Sequence, residues 1–503
     1  MEATGSLSRR AMRSLFLTAQ TGDPDYALAS ALFLKCLALI YFIAFVSIGV
    51  QIDGLVGPDG ILPLQLKLDY LSAHLGIERY WQLPTLFWID ASSAALVSAA
   101  VAGCTFAALA FFNILLRTSL LGCLILYLSL YHAGQIFMNF QWDALLMEAG
   151  FLALFLPGGS RAIVWLFKFL LFKLRFMSGI SKLVSGDPSW ADLTAVHYFF
   201  EVQPLPNPLS WYAHHLPDWL LRLGAGGTLF VEIVVPFMMF MPRRYRFIAA
   251  WLTITWQLLI LLAANHNWAN LLTIALCLFL FDDRALRRVL PDIGRGRLER
   301  IPGPVRKPSA ARRNTGIALL VSVVAVSAIG GFEMVAGREA PTPFGQVLNR
   351  VRAFGIVNNY HAFPTMKRER LELEISGSRD GETWKVYPFK YKPGPVTERP
   401  RFVVPHAPRL DWHMWFITLN PIFMPAFESF LEALLNNSGP VTDLLARNPF
   451  PDDPPRYLRV ELFRYRFTTP QERAATGAWW HRESLGPFPP LPWMERSWAA
   501  PSG

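Results

Sequence analysis

The chain has 503 residues, of which 53% are apolar, 14% aromatic and only 17% charged, and its formal net charge is +10. Length alone predicts about three soluble domains at roughly 150 residues each. The composition instead is that of a membrane protein, where an excess of Lys and Arg marks cytoplasmic loops rather than nucleic-acid binding. The four cysteines, Cys36, Cys104, Cys123 and Cys277, all lie in apolar runs, which excludes a disulfide scaffold, a CxxC redox motif and a CxxC zinc site.

In chain order, Met1 to Tyr26 is polar and precedes an apolar run long enough to span, so a cleaved leader is not expected. A bilayer core of roughly 30 Å needs about 20 apolar residues of helix. Nine stretches are candidates, at 29–50, 92–112, 118–137, 144–157, 162–183, 223–241, 247–264, 268–281 and 316–336, the fourth and eighth being short. Alternating the connections puts Arg9, Arg10, Arg13, Arg117, Arg161, Arg243, Arg244, Arg246 and the Arg-rich stretch 282–315 on one side. The other side receives only Lys67, Arg79 and Arg222. The positive-inside rule then places the N-terminus in the cytoplasm and everything after Gly337 outside. The expected organisation is a cytoplasmic segment 1–28, a helical bundle 29–281, a basic linker 282–315, a last span 316–336 and an external domain 337–503.

In the last third, Pro, Arg, Trp and turn signals replace the long apolar runs. Leu371 to Ile375 alternates with period two, Ser378 to Gly381 is a turn and Thr383 to Phe389 resumes an extended pattern, together a hairpin. Ile422 to Leu435 reads as a helix stopped near Asn436, Asn437 and Gly439, and Tyr457 to Phe467 alternates again. The fold class is therefore an α-helical polytopic membrane bundle of about nine spans followed by a β-rich α+β soluble domain. That domain would face a periplasm or the lumen of the endoplasmic reticulum.

The fifth span holds the least expected residues. Lys168, Arg175 and Lys182 recur every seven positions and share one helix face, with Lys173 off that stripe. A charge at mid-membrane costs about 2.5 to 3.5 kcal/mol even on the lenient insertion scale, so Arg175 and Lys173 must face protein or a wet cavity. Two readings stay open: a structural ion pair, with Glu232 of the sixth span as partner, or a cavity for an anionic ligand or headgroup. His132, Asp143 and Glu148 extend this intramembrane polar set at the outer mouth, in a spacing that matches no metal-ligand pattern. In the following loop, Pro204, Pro206 and Pro208 forbid helix and strand, and with Trp190 and Trp211 they make a rigid aromatic shelf. The shelf is either an interfacial anchor or a docking surface for an extended client chain, and Trp384, Tyr391, Trp412 and Trp415 are further candidate client contacts. There is no GxGxxG after a strand, no P-loop, no GxSxG and no nucleic-acid module, so no cofactor and no nucleic-acid partner is expected.

Three long runs carry a resemblance: SGISKLVSGDPSWADLTAVHYFFEVQPLPNPLSWYAHHLP (178–217), NHNWANLLTIALCLFLFDD (265–283) and KVYPFKYKPGPVTERPRFVVPHAPRLDWHMWF (385–416). They resemble the lipase maturation factor family over most of the chain. The resemblance implies a multi-span membrane protein that helps secreted lipases reach an active folded state, with clients engaged by the external domain and lipids around the bundle. The segment GISKL followed by Asp-Pro-Ser-Trp also resembles the membrane region of vitamin K-dependent carboxylases, which implies, as the alternative, an intramembrane lysine base at Lys182 acting on a quinone or a client protein.

Overall fold

The computed structural model describes residues 24–289, 308–488 and 494–495. Arg9, Arg10, Arg13 and most of the basic linker 282–315 lie outside the described residues. The apolar runs form helices α1 (Ala27–Gly49), α2 (Ser93–Phe111), α3 (Leu116–Ala133), α4 (Gln141–Ala153), α5 (Arg161–Val184), α6 (Asp218–Met238), α7 (Arg243–Ala263), α8 (Ala269–Leu280) and α9 (Ala310–Ala336). Six of these, α1, α2, α3, α6, α7 and α9, are long and apolar enough to cross a membrane. The expected nine therefore come down to six on length and composition. Helix α5 has 24 residues but carries Arg161, Lys168, Lys173, Arg175 and Lys182. Helix α4 has 13 residues, about 20 Å at 1.5 Å per residue, short of the roughly 30 Å core, and α8 is also short.

Hydrogen bonds between helix ends define two ends of the bundle. At one, the Asp283 carboxylate after α8 accepts from the Leu28 and Ala29 amides at 2.8 and 3.1 Å, capping the start of α1. Arg117, at the start of α3, donates to the Pro157 carbonyl just before α5 at 2.5 Å. At the other end, Gln135 after α3 donates to the Leu62 carbonyl in the loop after α1 at 2.9 Å. Helix α6 is interrupted by one π-helical turn, Phe230–Val234, just ahead of Pro236. A proline supplies no N–H to the preceding turn, and π turns recur where a helix must re-aim side chains.

Beyond α9 come α10 (Phe344–Ala353), strands β1 (Arg370–Ser378) and β2 (Lys385–Val386), helices α11 (Arg409–Ile417) and α12 (Met424–Leu435), β3 (Tyr457–Phe467), α13 (Pro470–Thr476) and β4 (Trp480–Pro487). The strands pair antiparallel in the order β2-β1-β3-β4. The expected hairpin is present, with Ser376 opposite Val386, although its second strand is only two residues long. Its turn is held by the Asp380 carboxylate, which accepts from the Glu382 and Thr383 amides at 2.8 and 2.7 Å, while Gly381 takes φ +81°. Strand β3 and helix α12 occupy the expected runs, and α12 stops at Asn436 ahead of Asn437 at φ 51°. Leu373, Ile375, Leu458 and Val460 of the sheet join Phe427, Phe430 and Leu431 of α12 in one apolar cluster, which is continuous with the bundle core around Tyr41, Leu130 and Trp268.

Asp411, buried in α11, accepts from the Tyr391 and Lys392 amides at 2.8 and 2.9 Å and so fixes the return from β2. Burial pushes its carboxyl up to about 6, against the lowering by those amides and by Lys392. The native state thus holds this proton more tightly than the unfolded chain, whose carboxyl titrates near 3.9. This group's contribution to stability is greatest below that unfolded value and falls as pH rises from about 4 through about 6, by on the order of 3 kcal/mol. Thermal unfolding of the detergent-solubilised chain across that window should fall more steeply for the wild type than for Asp411→Asn, and equal slopes would contradict the assignment.

Candidate functional site

Every cation of α5 that the sequence singled out has a buried partner. Lys168 reaches the Tyr26 hydroxyl at 2.8 Å near one end of the bundle. Arg175 pairs with Glu232 at 3.1 Å, the partner expected from sequence, and Lys182 meets the other oxygen of the same carboxylate at 2.7 Å. Two cations therefore share one anion. The approach depends on Gly179, one turn from each cation, because a Cβ there would stand 2.6 Å from the Ile233 side chain and 3.0 Å from Cβ of Glu232. Glu232 lies on the π turn of α6, which sets its direction.

Lys173, off the stripe, points to α4, where it pairs with Glu148 at 2.5 Å, the two side chains being 2% and 1% exposed. The other Glu148 oxygen accepts from the Tyr360 hydroxyl at 2.7 Å and the Asn358 amide at 3.1 Å. Both come from the segment after α10. The same segment lends its Ala353 carbonyl to His132 at 2.7 Å and its Ala362 carbonyl to Lys182 at 2.6 Å, while its Met366 amide donates to Asp187 at 2.5 Å. Residues 353–366 are thus a strap laid across one end of the bundle and tied down by the helices' own polar groups. A third buried pair does the same for α11: Arg409 forks onto both Asp143 oxygens at 2.6 and 2.7 Å, and Tyr127 donates to that carboxylate at 2.5 Å. The residues expected as one polar cluster fall instead into three ionic networks, with Lys168 on Tyr26 and His132 on the Ala353 carbonyl apart from them, and each network, those holding Glu148, Asp143 and Lys182, contains a group from beyond α9.

The shelf is covered by the same domain. Pro204, Pro206, Pro208, Trp190 and Trp211 are all buried. Arg370 of β1 donates to the carbonyls of Glu201, Gln203 and Pro204, and the Trp211 indole donates to Thr468 at 2.9 Å beside Trp479 and Trp480. Pro208 does not extend the chain but opens the helix Pro208–His214, where a missing N–H is harmless. Among the other expected contacts, Trp412 is buried against Trp142 and Trp415 donates to the Val202 carbonyl at 2.7 Å. Trp384 and Tyr391 are half-buried. The contacts that sequence reasoning missed are Arg370 and Arg409, which give no signal as long as their partners are unknown.

Beside the Arg175–Glu232–Lys182 triangle lies a cavity of about 430 Å³ between α5, α6, α7, α8 and the strap. Lys182 does not act there as a free base. Its ammonium donates to Glu232, to the Ala362 carbonyl and to the Ser178 carbonyl at 3.3 Å, which commits all three protons and leaves no lone pair. The lysine-base alternative is therefore not supported.

Two family models match the chain, the lipase maturation factor transmembrane domain over residues 28–288 and the lipase maturation factor C-terminal domain over residues 356–490. Lipase maturation factor 1 of Bos taurus is 34% identical, over 91% of this chain and 88% of its own length. Lipase maturation factor 1 of Homo sapiens is 32% identical, over 93% and 90%. Lipase maturation factor 2 of Gallus gallus is 32% identical, over 91% and 80%. No solved structure matches.

Gly179→Ala should force α6 away from α5 and lengthen the Arg175–Glu232 pair. The expected loss is about 1 to 3 kcal/mol in thermal unfolding. Gly331→Ala, whose Cβ would meet nothing within 4 Å, should change stability by less than about 0.5 kcal/mol. Equal melting of the two variants would contradict the close approach.

Proposed function

This chain belongs to the lipase maturation factor family, and on that premise we propose that it is a membrane-anchored maturation factor that assists the folding or assembly of secreted lipases. The observation that carries the proposal is the continuous similarity through both parts of the chain, membrane helices and C-terminal domain together. The six spanning helices make it an integral membrane protein. In this proposal the N-terminus is cytoplasmic and residues 337–503 face the periplasm or the lumen of the endoplasmic reticulum, as the asymmetry of Arg and Lys indicates.

Clients meet apolar side chains that the C-terminal domain leaves exposed beside its junction with the bundle rather than the Pro and Trp shelf, since the shelf is buried under that domain. Phe402 and Ile422 are 56% and 73% exposed there, and apolar side chains left in water are what a partly folded client would cover. Trp384 and Tyr391, half-buried, are secondary candidates. Surrounding lipids are the remaining partner class.

Expressed with a secreted lipase in cells lacking their own maturation factor, the chain should raise the ratio of active to total lipase. Phe402→Glu with Ile422→Glu should lower that ratio severalfold at an unchanged membrane level of the factor. No rise with the folded wild type would overturn the proposal, and an undiminished ratio in the double variant would overturn the contact surface.

A further inference from the structure

The cavity beside Arg175 has features that the pairing of the α5 cations does not explain. It is lined by Trp190, Phe199, Leu220, Trp256, Ile260 and Phe363, and Arg175, Lys182 and Glu232 stand on its wall. Two cations share one carboxylate there, so the wall carries an excess of positive charge in an apolar setting. Buried polar atoms along the same wall make no hydrogen bond within the protein: Arg175 Nε, Gln257 Nε2, His266 Nε2 and Asn270 Oδ1. The Arg175 side chain is 8% exposed, and Gln257 and Asn270 are each 3% exposed. Of these, Arg175 Nε and Gln257 Nε2 are donors and Asn270 Oδ1 an acceptor. A buried donor without an acceptor costs about 1 to 3 kcal/mol, more when charged, so the two donors facing one apolar space point to a ligand that supplies acceptors.

The entrance indicates what the rest of that ligand is. The lining residues Leu209, Leu216, Leu259 and Leu262 are 38%, 44%, 51% and 54% exposed, and α7 is long and apolar enough to cross a membrane. Leu259 and Leu262 belong to α7, and Leu209 and Leu216 to the connection beside it, so the mouth faces the side on which a bilayer would lie. The volume of about 430 Å³ sits near the low end of the roughly 300–1,000 Å³ usual for ligand sites, which suits one acyl chain and not two.

We propose that this cavity binds a single-chain amphiphile with an acidic head, its carboxylate or phosphate on Arg175 with Gln257 and its chain among Trp256 and Ile260. The strap residues Ala362, Phe363 and Met366 form part of the wall, so the bound head lies within reach of the segment that joins the two parts of the protein. A neutral chain of equal length leaves the Arg175 Nε proton unmatched and binds less well. The proposal does not depend on the lipase reading, because binding is measured on the purified chain alone.

The test uses the full chain in phosphatidylcholine nanodiscs with three photoactivatable probes of equal chain length: a fatty acid, a lysophosphatidic acid and a fatty alcohol. At least one acidic probe should label peptides of α7 or of the helix Pro208–His214, with an affinity at least about tenfold above the alcohol. Labelling by the fatty acid alone identifies a carboxylate ligand, and labelling by the lysophosphatidic acid alone a phosphate ligand; either supports the site. Arg175→Gln should weaken acid binding at least about tenfold and leave the alcohol unchanged, and Ile260→Trp, which fills the apolar end, should remove labelling while Lys182 and Glu232 remain. Equal labelling by acid and alcohol in the unmodified chain, or no labelled cavity peptide with either acid, would overturn the proposal.

Discussion

A charged side chain cannot stand alone in a membrane helix, and the way this chain meets that constraint organises the whole molecule. Helices α4 and α5 bring Asp143, Glu148, Lys173, Arg175 and Lys182 into a setting with no water to solvate them. Among these five, Lys173 and Glu148 answer each other and Arg175 and Lys182 meet Glu232 within the bundle, and only Asp143 takes its charge partner from beyond α9. Asp143 is answered by Arg409, Glu148 by Lys173 with Tyr360 and Asn358, and Lys182 by Glu232 with the Ala362 carbonyl. Asp143 therefore lacks its counter-charge, and Glu148 and Lys182 lack part of their hydrogen bonding, until groups from beyond α9 are in place.

That arrangement explains why two parts with different compositions behave as one body. The apolar cluster passes from Tyr41 through Trp268 and Trp412 to Leu373 without a break. Polar ties run beside it: Asn265 donates to the Arg401 carbonyl and accepts from the Val403 amide, and Gln51 accepts from the Arg409 amide at 2.7 Å. The membrane helices and the C-terminal domain thus share one apolar core and one set of polar ties. The loop prolines 204, 206 and 208 serve the same end, since a stiff segment keeps its carbonyls aimed at Arg370.

Much of this was legible in the residues and some could not be. Period-two alternation found β1 and β3, and the Asn-Asn-Gly stop found the end of α12, because these signals are local. The Arg175–Glu232 pair was legible because both lie at the middle of apolar runs, where a charge must be answered. Lys173 and Glu148 were recognised as buried charges but not as partners, since pairing depends on which helix faces meet. Arg370 and Arg409 look like surface arginines until the fold carries them across some 170 and 270 residues to their acceptors. The prolines of the shelf were read as excluding helix, yet Pro208 opens one, and the shelf's cover could not be read, because the groups that bond to it, Arg370 and Thr468, lie far along the chain. The structure bears out six of the nine expected spans on length and composition; α4 and α8, marked as short in the sequence, are short helices, and α5 is long but carries five cations.

The claim that a buried ionic tie holds the C-terminal domain on the bundle is tested most directly by a double-mutant cycle on Asp143 and Arg409, read by thermal unfolding of the full chain. Removing either partner alone strands a buried charge and should cost about 3 to 5 kcal/mol, while Asp143→Leu with Arg409→Met together should recover most of that loss. Strictly additive losses would mean that the two groups do not meet across this junction, and the account of how the two parts become one would fail with them.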